Sequence, residues 1–467
     1  MSILSTLLIG AQAMGVQQRA IQTTGHNIAN VNTPGFSRQR VELSSASPSF
    51  AGQLLLGQGV MIGGIKSVVN GFIEAQLLSL SGALGFTEAE NRALTEVENA
   101  FPVTAGSGIG AALDAFFGAL SDLANNPAGQ AERVNLIGKA QTLGDTLRQT
   151  RSVLTLLQEN LDKDLDGAVH RVNALLPQIA ALNKQIAMSE AGGERANDFR
   201  DQRQVLLQEI ARLTGAMVLE EPDGQVTVLA GGLLLVGGDR AASLSATTLN
   251  PSGFRLVTYT SPGGVSFDAT ALLTQGEIGG LLAMRDTTVA GIIDRLDQLA
   301  KSLVDTVNAQ HALGFDLNGT AGGDFFVPLV TVAGAAALVQ VNSAVVANPN
   351  LIAAAQDAAG VPGDNRNALA LVNLQTTAIA SLGNETFKDY FLSLMGDVGA
   401  QAQASNSTLD FQQSLLTQTR ARRESISGVN LDEEMTNLIQ FQRAFEAASL
   451  LVRTGDEMYQ AILEMVR

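Results

Sequence analysis

The chain has 467 residues, 46% of them hydrophobic, and a formal net charge of −16. That length predicts two to four domains, and the negative charge argues against general nucleic-acid binding and against anchoring to anionic lipid, both of which need basic surface. Cysteine is absent and only His26, His170 and His311 could offer imidazole, far apart in sequence, so disulfides, thiolate chemistry and cysteine-held metals are excluded and neither a metal nor a cofactor is expected.

The first apolar run, ILSTLLI (3–9), followed by Ala11-Gln12-Ala13, has the outline of a secretory signal. No Lys or Arg precedes it and it is too short to cross a bilayer, so neither a cleaved signal nor a membrane span is expected. Leu4, Leu7, Ala11, Met14, Gln18, Ile21, Gly25 and Ile28 recur three and four residues apart, which predicts one coiled-coil-like helix over 3–30. Up to Ser37 its only formally charged side chain is Arg19, so this helix should have neighbours on several sides. It must stop near Val31-Asn32-Thr33-Pro34-Gly35. Pro34 cannot continue the ladder, Gly35 suits the second corner of a type II turn, and Asn30 and Asn32 can bond nearby backbone. Phe36 follows, and the segment reads as a corner that reverses or aims the chain.

Residues from about 75 to 213 read as long helices, with a stop at Asn125-Asn126-Pro127 and separate stretches at 131–161, 163–191 and 195–213; Pro177 should break or kink one of them. Past 215, short β-rich runs alternate with Pro-Asp-Gly and Gly-Gly turns, which predicts hairpins to about 275. Helix returns over 276–311, strands are expected within 325–347, and helices resume over 365–425. Asn430 is a candidate N-cap for a last helix. Along it Leu438, Phe441, Phe445, Ala448, Val452, Gly455, Tyr459, Ile462 and Val466 repeat the N-terminal spacing, while Ile439, Leu450, Leu451 and Met458 lie off the seam. The inference is that the two termini pair and that the pair packs into something larger.

The fold class read from this pattern is multidomain α+β, mainly α. Terminal helices pair as a coiled coil (1–40 with 428–467), a long-helix bundle follows (41–214 with 276–311 and 365–427), and a β-rich outer part is inserted (215–275 with 312–364).

No stretch demands chemistry. GSGIGA (106–111) fits G-x-G-x-x-A, but no buried strand precedes it, and a helix connector is the plainer reading. DLNGTAGGDFF (316–326) starts like a calcium loop, yet positions six and twelve are Ala321 and Val327 rather than Gly and an acid. Glu220, Glu221, Asp223 and Asp239 are turn acids with nothing in the sequence to set two of them across a cleft. There is no nucleophile elbow and no H-E-x-x-H, and no catalytic residue is assigned.

NIANVNTPGFSRQRVEL (27–43) resembles the N-terminal signature of the flagellar axial proteins, and Ser37-Arg38-Gln39 after Gly35-Phe36 is similar to the flagellar hook-associated protein 1 (FlgK) family. Phe36 stands where an aromatic, often Tyr, is usual. LDAFFGALSDLANNP (113–127), GEIGGLLAMRDTT (276–288), VNAQHALGFDLNG (307–319), GDNRNALAL (363–371) and SGVNLDEEMTNLIQFQRAFEAASLLVRTGDEMYQAIL (427–463) resemble further segments of that family. The resemblance implies a non-enzymatic structural protein of the bacterial flagellum, a ring at the distal end of the hook that connects it to the filament. It implies export through the type III apparatus without a cleaved signal. The implied partners are further copies of the chain, the hook protein, a second junction protein or flagellin, and a cytoplasmic chaperone on the C-terminal helix. Leu4, Leu7, Met14, Ile21, Ile28, Leu438, Phe441, Phe445, Val452, Tyr459 and Ile462 would then form the assembly interface, and Asn30, Asn32, Thr33, Pro34, Gly35 and Phe36 a hinge. Alternatives are another axial protein, hook or distal rod, and an axial scaffold carrying a hydrolase at 215–365.

Overall fold

The computed structural model describes residues 3–51, 54–101 and 107–465. Helix α1 (Ile3–Ala29) runs out, and α12 (Leu431–Met465) comes back along it. The direction is antiparallel: Leu7 meets Gly455, Gly10 meets Val452, and Asn27 meets Glu434. After α1 the chain forms a ribbon of β1 (Gln39–Ser45), β2 (Ser49–Ala51), β3 (Leu54–Leu56) and β4 (Val60–Ser67), with β1 pairing β4 and β2 pairing β3. The ribbon lies against α1, Gly59 facing Ile9 and Gln39 paired with the Asn27 amide. The sequence division placed 41–67 with the bundle; the ribbon instead accompanies the terminal helices, and it supplies the second neighbour that the charge-poor α1 needs.

The body is helical. It comprises α2 (Gly71–Ala100), α3 (Gly108–Asn125), α4 (Gln130–Glu190), α5 (Asn197–Thr214), α6 (Gly276–Ala283), α7 (Val289–Ala312) and α11 (Phe387–Ser427). α11 lies antiparallel to α2, Arg423 meeting Glu74 and Asn406 meeting Asn91. Where two helices were expected, α4 is a single helix of 61 residues that runs through Pro177 without a break. Pro177 is exposed while Leu176 and Ile179 are buried beside it, so the packed face holds the helix across the missing N–H. A π-turn at Met284–Thr288 joins α6 to α7, and the Gln158 amide donates to its Arg285 carbonyl at 2.8 Å.

The insert after α5 is β-rich as expected. β5 (Met217–Glu220), β6 (Val226–Ala230), β7 (Leu233–Gly237) and β8 (Arg240–Ala241) form a four-stranded antiparallel sheet in that order. β9 (Ser243–Ser245), β10 (Thr258–Thr260) and β11 (Ser266–Asp268) form a second sheet with β10 in the middle. The strands expected at 325–347 do not form. That segment has one isolated bridge, Phe326 to Val341, and two short helices, α8 (Ala335–Leu338) and α9 (Ser343–Ala347). Its backbone is satisfied by a side chain instead: the Asn308 amide donates to Phe326 O at 2.9 Å and accepts from Phe326 N at 2.8 Å. Phe325 and Phe326 then pack on Phe116 of α3, with α10 (Arg366–Asn373) nearby, so this segment rests on the bundle rather than on the sheets.

Candidate assembly site: the terminal helix pair and its corner

Two glycines set the spacing of the terminal pair. A Cβ on Gly10 would lie 2.7 Å from Val452 Cγ2, and one on Gly455 would lie 2.8 Å from Leu7 Cδ2. Each helix therefore offers a notch to a side chain of the other, and the backbones approach closely. Of the predicted interface residues, Leu7, Met14, Ile21, Ile28, Leu438, Phe441, Phe445 and Val452 are half-buried along the pair. Leu4, Tyr459 and Ile462 are 65%, 52% and 47% exposed at its far end, and Val466 lies outside the described residues. The most buried positions of α1 are Gly10, Val16, Ala20, Thr23, Thr24 and Asn27; Gly10, Ala20, Thr24 and Asn27 lie one residue before a position of the predicted seam, and Val16 and Thr23 two before. The offset follows from the ribbon: α1 is covered on two sides, and what is buried deepest is the strip between α12 and the strands. The alternation in QRVEL and VMIGGIKS was the available signal for those strands.

α12 leaves many apolar side chains exposed, Leu431, Met435 and Ile439 near its start and Leu450, Met458 and Leu463 near its end, interleaved with the exposed ion pairs Arg443–Glu446 and Arg453–Glu457. Leu451 is also partly exposed but lies beside Gly10 of α1.

The corner is a type II turn as its residues predict. Phe36 N–H donates to Thr33 O at 3.2 Å and Gly35 sits at φ +81°. A Cβ there would fall 2.4 Å from Val205 Cγ2, so glycine is required twice over. Thr33 donates to the Asn30 side chain and Asn30 to the last-turn His26 carbonyl, closing the end of α1. Phe36 packs edge-on against His26 with centroids 5.5 Å apart. Asn32 and Pro34 are exposed. A groove of about 600 Å³ runs between the corner and helices α4 and α5, with Phe36, Leu182, Val205 and Leu206 among its walls.

Long-range bonds hold this corner to four other segments. The Asn27 amide is paired both ways with the Gln39 backbone and also donates to Glu434 at 3.1 Å. Arg38 pairs with Glu433 at 2.6 Å, and Asn430 caps α12 as expected by accepting from Asp432 and Glu433 N–H. Ser37 N–H donates to the buried Asp201 carboxylate at 2.8 Å; burial pushes that carboxyl up to about 6 against the pull of its hydrogen bonds to Ser37 and of Arg423. Arg423 reaches Glu74 at 2.8 Å, Gly35 O at 3.0 Å and Ser37 Oγ at 3.1 Å. The sequence singled out none of Glu74, Asp201 or Arg423, because only the folded chain brings them together.

The remaining candidates stay apart. Glu220 pairs with Arg200, Glu221 accepts from Thr227, Asp223 accepts from Gln225 N–H, and Asp239 is exposed. Asp316 closes a local turn onto Asn318 and Thr320 N–H. In the Gly-rich stretch Gly106 lies outside the described residues, and Gly108 begins α3. His311 is lodged between Gly323 O and Ala353 N–H, and burial pushes its ring pKa down. Among the described residues no His, Cys, Asp or Glu cluster has metal-holding geometry, and no helix is long and apolar enough to cross a membrane.

Comparison with known proteins bears on this architecture at three places. Residues 94–326 match the family described as the flagellar hook-associated protein FlgK helical domain. Residues 7–36, α1 with its corner, match the flagella basal body rod protein family, and residues 422–465, the end of α11 with α12, match the flagellar basal body rod FlgEFG protein C-terminal family. Flagellar hook-associated protein 1 of Bacillus subtilis is 30% identical over 97% of this chain and 96% of its own length. Its namesake in Escherichia coli is 26% identical over 99% of this chain and 100% of its own. The solved structure of the flagellar hook junction protein FlgK from Burkholderia pseudomallei superposes with a TM-score of 0.66 at 18% identity, covering 76% of this chain and 100% of that one, and so shares the fold. The chain belongs to the flagellar hook-associated protein 1 (FlgK) family, structural proteins of the flagellar hook–filament junction.

Proposed function

We propose that copies of this chain form a ring at the distal end of the hook, with the terminal helix pairs packed together at the centre and the helical and β-rich parts outside. The observation that supports this most is the number of large apolar side chains that α12 leaves exposed, Leu431, Met435 and Ile439 near its start and Leu450, Met458 and Leu463 near its end. A fully buried Leu, Ile or Met side chain contributes about 1.5–3 kcal/mol, so covering these groups with neighbouring helices strongly favours association. In this reading the inner region is 1–40 with 428–467, accompanied by the ribbon. The bundle and the insert face the outside, and the corner from Asn30 to Phe36 is the hinge between the two. The ring contacts the hook protein on one side and a second junction protein or flagellin on the other. Before assembly the chain is exported through the type III apparatus without a cleaved signal, and a cytoplasmic chaperone covers α12 over Leu438 to Ile462.

The test is a cell whose only copy is truncated after Gly428, imaged by electron microscopy with the medium assayed for filament subunit. Normal hooks without filaments, and unpolymerised subunit outside, are expected. Normal filaments would refute the role given to α12.

A further inference from the structure

Residues 30–38 form the corner that joins α1 to the ribbon, 68–70 lead from the ribbon into α2, and 427–430 lead from α11 back into α12. The corner and this last crossing are tied together where Arg38 N–H donates to Ser427 O at 2.7 Å. One turn earlier stands Arg423, whose residue is 7% exposed. Its Nε donates to Glu74 Oε1 of α2 at 2.8 Å, and its Nη2 donates to Gly35 O at 3.0 Å and Ser37 Oγ at 3.1 Å, within the corner itself. Nη1 pairs with Glu424 at 2.9 Å. The second Glu74 oxygen accepts from Gln204 of α5 at 2.9 Å, and the backbone of Ser37 is held by Asp201. One planar guanidinium thus bridges α11, α2 and the corner, and a lysine ammonium on a flexible stem cannot span those diverging acceptors. The turn at Gly35 aims its carbonyl at Arg423, so the required glycine and the arginine act on the same bond.

We infer that Arg423 is the positioning residue of the corner: it latches the hinge and fixes the direction in which the α1–α12 pair leaves the body. The latch lies within one chain, so it does not rest on the ring reading. Removing it leaves both parts folded, because the bundle core and the glycine-notched helix pair are elsewhere. The corner and ribbon are then held to the body through α5, by Ser37 to Asp201, Gln39 and His26 to Asp198 and Ile65 to Asn197, and through the Arg38 bond to Ser427, so that the direction of the pair is fixed less narrowly.

The chain has no cysteine, so two spin labels can be placed freely. Labels at Lys184→Cys on α4 and Gln442→Cys on α12, both exposed, report the angle by double electron–electron resonance on the purified full chain. A second pair, Gln12→Cys with Leu451→Cys, reports the helix pair itself. The native chain should give one narrow distance from the first pair. Arg423→Gln, and less severely Arg423→Lys, should broaden it about twofold or more while the second pair and the circular dichroism stay native. Arg422→Gln on the exposed neighbour should change nothing. A broad native distribution, or an unchanged width in Arg423→Gln, overturns the latch. Loss of the second distance together with the first also overturns it, since Arg423 would then merely support the fold. If Arg423→Gln does not fold, Ser37→Ala and Glu74→Gln, which each remove one acceptor, must broaden the first distance alone or the inference fails.

Discussion

Helices α4 and α12 are both long, yet they are held in opposite ways. α4 buries a run of Leu, Ile and Val from Leu136 to Ile186 inside the bundle. α12 buries only Glu434, Ala448 and Gly455 among its described residues, and its large side chains are half-buried or exposed. Small residues bring two helices close but remove little apolar area from water, whereas each Leu of the bundle core contributes about 1.5–3 kcal/mol. The body therefore carries its own stability, and on the proposed ring reading the terminal pair gains stability from the neighbours that cover it. The same contrast explains why a β-ribbon lies along α1: one partner helix does not cover an element with a single charge.

The contrast is broken most severely from the body side. Phe116 is fully buried among Phe117, Phe325 and Phe326. Phe116→Ala should lower the stability of the body by about 3–5 kcal/mol in chemical denaturation. A change below about 1 kcal/mol would mean that 325–347 is not part of the core.

At the boundary between the regions, Asp201 tests the corner through pH. Its folded pKa, about 6, lies above the ordinary carboxylate value, so the folded state holds the proton more tightly than the unfolded state does. Its stabilising contribution is complete below pH about 4 and is lost as pH rises through about 6, amounting to roughly 2–3 kcal/mol. Asp201→Asn should remove that component from the pH–stability curve and leave the variant at least as stable as the native chain at pH 7. A difference curve flat from pH 4 to 7 would contradict it.

Smaller effects are expected in the terminal pair. Gly455→Val places a branched side chain where Leu7 sits and should loosen α1 from α12 by about 1–2 kcal/mol, read as faster proteolysis of both termini with no change in the unfolding of the body. Met458→Gln, on the exposed face, should alter single-chain stability by no more than about 0.5 kcal/mol yet reduce filament formation in cells. Equal loss of stability from Met458→Gln and Phe116→Ala would erase the distinction.

Much of this was legible because it is local. The helix of residues 3–29, the Pro34-Gly35 turn and the Asn430 cap follow from neighbours in sequence, and the structure contains them where the residues place them. The Ala- and Val-rich 325–347 misled because the partner of Phe326 is the Asn308 side chain, which no strand pattern reveals. Pro177 does not break α4 because Leu176 and Ile179 on the packed face hold the helix on either side of it, and that packing is tertiary. The ribbon was missed because its alternation is interrupted by a bulge between Glu42 and Leu43 opposite Gly63 and Gly64. The corner was visible as a turn, but its anchors were not: Glu74 and Arg423 are 349 residues apart.

The most direct test of the contrast is hydrogen–deuterium exchange, read by mass spectrometry, on the purified single chain. Amides of α12 from Leu450 onward should exchange orders of magnitude faster than those of α4 between Leu136 and Ile186, because little tertiary burial protects them. Comparable protection in the two helices would show that the terminal pair is stable alone, and the dependence on neighbouring copies would have to be given up.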